Sequence, residues 1–220
     1  MAKIKLANDV ETGKPIELSL DEMGNVLIAG TPGSGKSIFL ILIAKSLMSI
    51  YGSDEIGFIV HDEKGLDYRF LKDDSRLLLP MGRDLDDFSD QLAYLEQLVQ
   101  ADETGTPRPS NIVVIIDEFF FAHFDKRVMA RLEALMKEGP KNHIYFFISA
   151  QCPIIYTKEM HKAAQTKLAF HLFEKDGEVF CGEENLRTLC PNSGDGLYVR
   201  NACDKEERTL VHVQYERKRG

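Results

Sequence analysis

The sequence predicts an α/β domain of three layers, with a mostly parallel central sheet flanked by helices. Strand-like and helix-like segments alternate along the 220 residues. The run Ile112–Ile116 is β-branched and apolar on both faces, which is typical of a strand buried between two helical layers. A glycine-rich turn, Gly30–Ser37, joins a short apolar run to a helical segment. Together these three observations give the fold class.

The N-terminal half is predicted to contain two strands, Val26–Ala29 and Ile56–Val60, and two helices. The first helix, Ser37–Ile50, lacks Gly and Pro and is apolar on nearly every side, which indicates a buried helix. Leu77–Leu79 is predicted as a short additional strand. The second helix, Asp84–Ala101, is amphipathic, because apolar residues recur every three or four positions at Leu85, Phe88, Leu92, Leu95 and Leu98.

The C-terminal half continues the alternation after one loop, Asp102–Ser110, that is rich in turn-forming residues. A helix is predicted over Lys126–Lys137, where Gly139 and Pro140 end it, and an apolar strand over Ile144–Ile148. Further helix, strand and turn patterns lie at Lys158–Gln165, Leu168–Phe173 and Glu183–Leu189, and two closing strands at Gly196–Val199 and Arg208–Val213. No internal repeat and no long linker divides the chain, so residues 1–220 are predicted to form a single domain.

The composition is that of a soluble globular protein. Hydrophobic residues make up 44 % and charged residues 28 %, close to globular averages. No apolar run approaches the ~20 residues that cross a bilayer, and the N-terminal sequence lacks the apolar core of a signal peptide. We therefore expect a cytoplasmic location. The four cysteines are expected to be reduced thiols, because they show no CxxC pair and no metal-ligand spacing.

The charge balance limits what the surface can bind. There are 27 Lys and Arg against 35 Asp and Glu, which gives a net charge of −8. The acidic residues are concentrated between Asp84 and Glu118, a stretch in which Arg108 is the one basic residue. Because DNA-binding surfaces are usually basic, any contact with nucleic acid has to be local or shared among several copies.

One segment matches the phosphate-binding pattern GxxxxGK[ST], known as Walker A. It consists of Gly30, Thr31, Pro32, Gly33, Ser34, Gly35, Lys36 and Ser37. Its glycines let backbone N–H groups turn toward phosphates, and the helix that follows adds unpaired donors and a partial positive charge. In such a loop Lys36 contacts the β- and γ-phosphates, and the Ser37 hydroxyl binds Mg²⁺. The sequence therefore predicts a site for a nucleotide and Mg²⁺.

Acidic residues complete the predicted site at the end of the strand Ile112–Ile116. Asp117 is predicted to hold Mg²⁺ through its water shell, and Glu118 to polarise the attacking water as a catalytic carboxylate. The glutamate favours an enzyme that hydrolyses ATP over a kinase or a passive binder. Gln151, which follows the strand Ile144–Ile148, is a further catalytic candidate if that strand neighbours the strand of Asp117. It would then sense the γ-phosphate or orient water, and otherwise it is a surface glutamine.

Five motifs, in the same order along the chain, resemble those of the FtsK/SpoIIIE family of ring-forming P-loop ATPases. They are Asp9–Leu20 with Asn25–Ser37, then Phe58–Lys64, Ile115–Phe119, Ile148–Pro153 and Gly194–Gly196. The third resembles the family's Walker B segment, and the fourth its Ala-Thr-Gln-Arg-Pro run. Three departures from the family pattern occur, with Glu63 in place of a proline, Cys152 in place of a common arginine, and Glu138–Lys141 in place of a stretch that is often arginine-rich.

The resemblance implies a RecA-like core, a homo-oligomeric hexameric ring, and ATP hydrolysis that drives a polymer through the central pore. It adds weight to Gln151 and implies that Asp62 and Lys64 lie near the site as structural or relay residues. In such rings an arginine of the next subunit usually completes the site. Candidates for that arginine are Arg83, Arg127 and Arg131.

Three functions are open at this point. The family resemblance favours a motor that pumps double-stranded DNA in chromosome, plasmid or conjugative transfer. The acidity of the chain and the loss of arginine at Cys152 favour the ATPase module of a type VII-like protein secretion machine, whose partner is a secreted protein. The missing arginines also fit a nucleotide-gated assembly module that hydrolyses ATP weakly. In each case we expect contact with a membrane only through segments that are not in this sequence.

Overall fold

Nine strands form one sheet in the part of the chain that the computed structural model describes, which comprises residues 2–101, 108–120, 125–189, 194–202 and 205–213. The strands are β1 (Ile4–Asp9), β2 (Pro15–Leu18), β3 (Asn25–Ala29), β4 (Ile56–Asp62), β5 (Asn111–Asp117), β6 (Ile144–Ala150), β7 (Ala164–Ala169), β8 (Asp195–Ala202) and β9 (Lys205–His212). Their order across the sheet is β2-β1-β9-β8-β7-β3-β6-β5-β4. The five strands from β7 to β4 are parallel, and the other four extend the sheet in antiparallel pairs.

Helices pack on both faces of this sheet. Within the described residues they are α1 (Leu20–Met23), α2 (Lys36–Ile50), α3 (Leu85–Ala101), α4 (Lys126–Glu138), α5 (Lys158–Ala163) and α6 (Glu174–Cys181). Strand β3 shows the alternation that two covered faces require, because Val26 and Ile28 belong to the core under α2, while Leu27 and Ala29 belong to the core under α3 and α4. The predicted three-layer α/β fold with a parallel central sheet is confirmed.

Helix α2 is less buried than its sequence indicates. Phe39, Ile43 and Leu47 are buried against the sheet, but Ile38 and Ile50 are 46 % and 42 % exposed. The prediction of a buried helix holds for one side of α2, since α2 lies on a single face of the sheet and turns its outer side to solvent. Sequence apolarity thus overstated the burial of this element.

The segment Leu77–Leu79 does not form the predicted strand. It lies along the outer edge of β4, where isolated bridges join Leu77 and Gly82 to that strand. Pro80 lies between the two bridges and has no N–H to donate, so the segment cannot continue a regular ladder. The edge of the sheet is therefore covered by two isolated bridges, made of four backbone hydrogen bonds, rather than by a tenth strand of the described residues.

Two strands, β1 and β2, have no counterpart among the sequence predictions, and β7 overlaps the pattern at Leu168–Phe173 only in its last two residues. In β1 and β2 exposed and polar residues interrupt the apolar ones, and the two strands form an antiparallel hairpin at the far end of the sheet. β7 contains the polar residues Gln165, Thr166 and Lys167, although it lies between β3 and β8. The buried hydroxyl of Thr166 is satisfied by donating to the carbonyl of Met23 at 2.9 Å. Such local compensation leaves no trace in hydrophobic periodicity.

Some predictions fall on residues that the structure does not describe. Most of the loop Asp102–Ser110 lies outside the described residues, as do Cys190 and Cys203. Of the other two cysteines, Cys152 is an exposed free thiol and Cys181 a buried one. Among the helices described, none is long and apolar enough to cross a membrane.

Candidate active site

Four neighbouring parallel strands bring the predicted site residues to one edge of the sheet. The loop 30–37 follows β3, Lys64 follows β4 after a short turn, and Glu118 follows β5. Strand β6, which ends just before Gln151, lies between β3 and β5. Because the carboxyl ends of parallel strands share one edge, ligand sites of α/β sheets form there. The condition that the sequence set for Gln151, a strand next to that of Asp117, is met.

The loop 30–37 has the backbone that a phosphate site needs. Gly33 and Gly35 adopt positive φ angles of 74° and 112°, which side chains rarely tolerate. Gly35 is the N-cap of α2, so the first unpaired N–H groups of this helix face the loop. At Gly30 a Cβ atom would lie 2.4 Å from the hydroxyl of Ser34, which excludes any other residue without a rearrangement. The loop therefore presents a cradle of backbone donors.

Lys36 lies inside this loop and contacts its backbone. Its Nζ atom donates to the carbonyl of Gly30 at 2.8 Å and to that of Thr31 at 3.2 Å. The residue is 4 % exposed, and burial lowers the pKa of Lys36, while the charges of Glu118 and Asp117 oppose this shift. The Lys36 ammonium is thus a desolvated charge that is held by two weak acceptors.

Asp117 is buried at the end of β5 with three hydroxyl groups around its carboxylate. Ser149 donates to Oδ1 at 2.5 Å and Tyr68 donates to Oδ2 at 3.2 Å, while the Ser37 side chain lies close enough to lower the pKa of Asp117 as well. Burial raises the pKa of Asp117 and outweighs these hydrogen bonds, and the nearby charge of Asp62 raises it further. A carboxylate that is buried in this way gains from an adjacent cation.

Glu118 has a different environment from its neighbour Asp117. Its backbone adopts a left-handed φ of 60°, and its N–H donates to the hydroxyl of Ser149 at 3.0 Å. Its Oε1 atom accepts from Lys64 Nζ at 2.8 Å and from Gln151 Nε2 at 2.9 Å. Partial burial alone would raise the pKa of Glu118, but the hydrogen bonds from Lys64 and Gln151 and the charges of Lys64 and Lys36 bring that pKa below its usual value.

The loop, Lys36 and Glu118 line one open cleft, whereas Asp117 is buried behind Ser37. Its walls consist of Gly33, Gly35, Lys36, Ser37, Ile38, Lys64 and Glu118. Two ammonium groups, a helix N-terminus and backbone donors suit the phosphates of a nucleotide, and a carboxylate stands beside them. The hydroxyl of Ser37 next to the buried carboxylate of Asp117 supplies oxygen ligands of the kind that Mg²⁺ prefers. The residues present therefore fit both groups that the sequence predicted.

Sequence reasoning missed two residues of the site and left one question open. Ser149 could have been recognised as a candidate, because it is a polar residue inside the apolar strand β6. Nothing in the sequence indicated Tyr68. Arg131, a candidate for the arginine that acts on a neighbouring subunit, forms a bidentate ion pair with Glu96 within its own chain, at 2.8 and 2.9 Å. Arg127 and Arg83 are exposed.

Comparison with known proteins gives the family. A family profile described as FtsK/SpoIIIE matches residues 1–169. The chain belongs to the FtsK/SpoIIIE family. DNA translocase FtsK of Leptospira interrogans is 32 % identical over 224 aligned residues, which cover 89 % of this chain and 23 % of that protein. DNA translocase FtsK of Shewanella oneidensis is 30 % identical over 242 aligned residues, which cover 88 % of this chain and 26 % of that protein. This FtsK/SpoIIIE chain thus spans about a quarter of the length of these relatives.

Solved structures of low sequence identity share the fold of this FtsK/SpoIIIE chain. EccC of Thermomonospora curvata (ATPases 2 and 3, with a signal sequence peptide) has a TM-score of 0.79 at 12 % identity, covering 97 % of this chain and 41 % of that one. The conjugation coupling protein TcpA of pCW3, with ATPγS, has a TM-score of 0.73 at 16 % identity, and the match covers 96 % of this chain and 65 % of that one. The genome packaging NTPase B204 of Sulfolobus turreted icosahedral virus 2 has a TM-score of 0.59 at 16 % identity. The match covers 86 % of this chain and 98 % of that one. The profile match thus shows the family, and these solved structures show that the fold is shared.

Proposed function

We propose that this chain is one motor domain that hydrolyses ATP to move double-stranded DNA through a hexameric ring of identical subunits. The observation that carries hydrolysis is the position of Glu118, which enters the cleft beside Lys36 and is held by Lys64 and Gln151. DNA as the transported polymer is supported by the DNA translocases, whose similarity extends over about nine-tenths of the chain.

The phosphates of ATP bind to the loop 30–37 in this proposal. Backbone N–H groups of the loop and of the first turn of α2 donate to phosphate oxygens, and Gly33 and Gly35 leave room for that approach. The Lys36 ammonium exchanges the carbonyls of Gly30 and Thr31 for oxygens of the β- and γ-phosphates. The exchange is favourable because a phosphate compensates a desolvated ammonium better than two neutral carbonyls do.

Ser37 and Asp117 are the residues that would hold Mg²⁺. Among the described residues, no group of three or more His, Cys, Asp and Glu could bind a metal ion, so phosphate oxygens and water have to complete the coordination. When bound, Mg²⁺ neutralises charge that develops on the transferred phosphoryl group.

Glu118 is the general base of this proposal. It accepts a proton from the attacking water, for which it has to be ionised, and its lowered pKa keeps it ionised at neutral pH. Gln151 lies within hydrogen-bonding distance of Glu118 and can orient the same water through its amide. Lys36, Glu118 and Gln151 are thus the catalytic side chains that we propose.

The alternative is an ATPase module that acts on a secreted protein. The net charge of −8 favours it, as does Cys152, which is exposed immediately after Gln151 where the family commonly has an arginine. The structural similarity to EccC shows a shared fold and does not decide between the two polymers. Either function would place this domain in the cytoplasm, where ATP is available.

The decisive experiment measures steady-state ATP turnover over a range of protein concentrations, with and without linear duplex DNA, at low and physiological salt. We expect turnover per subunit to rise with protein concentration, as subunits associate, and to be stimulated by DNA in a manner that weakens as salt increases. Turnover that ignores DNA would favour the secretion module. An absence of turnover at every concentration would refute an independent motor.

Two variants test the assigned roles. Lys36→Ala should abolish ATP binding or hydrolysis, and normal turnover in this variant would contradict the phosphate site. Glu118→Gln should bind ATP and fail to hydrolyse it, so that a loss of binding would show that Glu118 is not the base.

Light scattering with and without ATP tests the ring, because ATP should increase the multimer fraction. A chain that stays monomeric at high concentration would count against it.

A further inference from the structure

Lys64 is a second cation in the nucleotide cleft, and the proposed hydrolysis uses it only to hold Glu118. Its ammonium lies 2.8 Å from Oε1 of Glu118, and its side chain is 53 % exposed. The same side chain lines the cleft together with Gly33, Gly35 and Lys36. An exposed ion pair of this kind contributes little to stability, so the fold gains little by holding it.

The backbone of the turn that contains Lys64 is fixed by hydrogen bonds, while the ammonium lies at the end of a flexible side chain. The carboxylate of Asp62, at the end of β4, accepts from the N–H groups of Lys64, Leu66 and Asp67 at 3.1, 3.1 and 3.3 Å. This turn anchors the base of the Lys64 side chain beside the cleft. The side chain beyond it has four rotatable bonds and is held at its tip by Glu118.

The Glu118 oxygen that pairs with Lys64 accepts a second hydrogen bond. Oε1 of Glu118 also accepts from Gln151 at 2.9 Å, so this oxygen stays hydrogen-bonded when the ammonium leaves. A γ-phosphate in the cleft would present more negative charge to Lys64 than a single carboxylate does. Lys36 and Lys64 already interact electrostatically, and an anion between them would also relieve their mutual repulsion.

We propose that Lys64 detects the γ-phosphate, by leaving Glu118 for that phosphate when ATP binds. The exchange would distinguish ATP from ADP, and it would release Glu118 from its ion pair at the moment when an attacking water is needed. In the absence of a γ-phosphate the Lys64 ammonium holds Glu118. This inference rests on the proposed function, because it requires the cleft to bind ATP.

The test compares affinities for ATPγS and ADP, measured by calorimetry, in the wild type, Lys64→Met, Lys64→Arg and Lys162→Met. The last variant is a matched control, since Lys162 is an exposed lysine paired with Glu159 at 2.7 Å on α5. We expect Lys64→Met to weaken ATPγS binding about tenfold and ADP binding less than about threefold, with recovery in Lys64→Arg and no change in Lys162→Met. Equal losses for both nucleotides, or none, would overturn the proposal.

A double-mutant cycle gives a second readout that does not depend on turnover. If Glu118 competes with the γ-phosphate for Lys64, Glu118→Gln should tighten ATPγS binding several-fold in the wild-type background. The same change should have a much smaller effect in Lys64→Met, where no ammonium is left to release. Equal effects in both backgrounds would overturn the exchange, even if wild-type ATP binding and hydrolysis proceed normally. A wild type that binds no nucleotide would instead refute the proposed function, and this inference with it.

Discussion

The hydroxyl of Ser149 connects the two acidic residues of the site, and its removal should weaken both the fold and the reaction. Ser149 is fully buried in β6. Its Oγ donates to Asp117 at 2.5 Å and accepts from the N–H of Glu118 at 3.0 Å. Ser149→Ala removes this one atom and leaves almost no cavity, so the effect reports the two hydrogen bonds rather than lost packing.

The magnitude of the Ser149→Ala effect follows from the two partners. A hydrogen bond to a charged group contributes about 1.5–3 kcal/mol, and a neutral one about 0.5–1.5 kcal/mol. We therefore expect the free energy of unfolding to fall by about 2–4 kcal/mol. For a chain of 220 residues, about 1 kcal/mol lowers the melting temperature by about 2–4 °C, so the shift should be close to 10 °C. Because Glu118 also loses the acceptor that fixes its backbone, kcat should fall more than KM rises.

Chemical and thermal unfolding, together with steady-state kinetics, test this prediction against Ser49→Ala. Ser49 is an exposed serine near the end of α2 that donates to the carbonyl of Ser46, and its loss should change stability by less than about 0.5 kcal/mol. If Ser149→Ala is as stable and as active as Ser49→Ala, the hydroxyl does not organise the site and our interpretation of β6 is wrong.

Three further predictions concern the scaffold. Asn25→Leu should cost about 3 kcal/mol or more by urea unfolding, because buried Asn25 hydrogen-bonds to the backbone of Met136, Ala163 and Phe146; a loss below about 1 kcal/mol would contradict this. Burial lowers the pKa of His161 to about 4, so this residue binds more protons in the unfolded chain, and the free energy of unfolding should fall as pH drops from about 6.5 toward 4. His161→Phe should flatten this dependence of stability on pH. An unchanged dependence would show that other groups cause it. Arg131→Met should lower stability by about 1 kcal/mol through the lost Glu96 pair and leave turnover unchanged, whereas a collapse of kcat would make Arg131 the trans-acting arginine.

The sequence was informative about this site where chemistry requires particular residue types. Gly33 and Gly35 have positive φ angles that favour glycine, which made the phosphate-binding loop recognisable. Asp117 and Glu118 stand at the end of a buried apolar strand, which made the acidic pair recognisable. Gln151 could be placed only conditionally, because strand order is a long-range property. Tyr68 was not predictable, since it reaches Asp117 from a turn 49 positions earlier in the chain.

The parts of the fold that sequence analysis missed share a physical cause. β1, β2 and β7 are stabilised by pairing with neighbours and by local hydrogen bonds rather than by a continuous apolar run. Conversely, α2 carries more apolar residues than it buries. Both errors arise because hydrophobic periodicity reports which surfaces prefer burial, whereas tertiary context decides which surfaces are covered.

The geometry of Asp117 and Glu118 explains how adjacent acids can perform different tasks. Consecutive residues of a regular strand point to opposite faces, which would send one of the two carboxylates away from the cleft. The left-handed backbone at Glu118 ends the strand, and its cost of about 1–2 kcal/mol is offset in part by the hydrogen bond to Ser149.

The two carboxylates therefore lie in different surroundings, with Glu118 lining the cleft and Asp117 buried behind it. Burial raises the pKa of Asp117 and makes its carboxylate receptive to a cation, while Lys64 and Gln151 lower the pKa of the more exposed Glu118 against the effect of its partial burial. Opposite shifts in neighbouring acids are how active sites separate roles among like groups. In the mechanism that we propose, the backbone turn at Glu118 would let Asp117 hold the metal ion while Glu118 acts as the base.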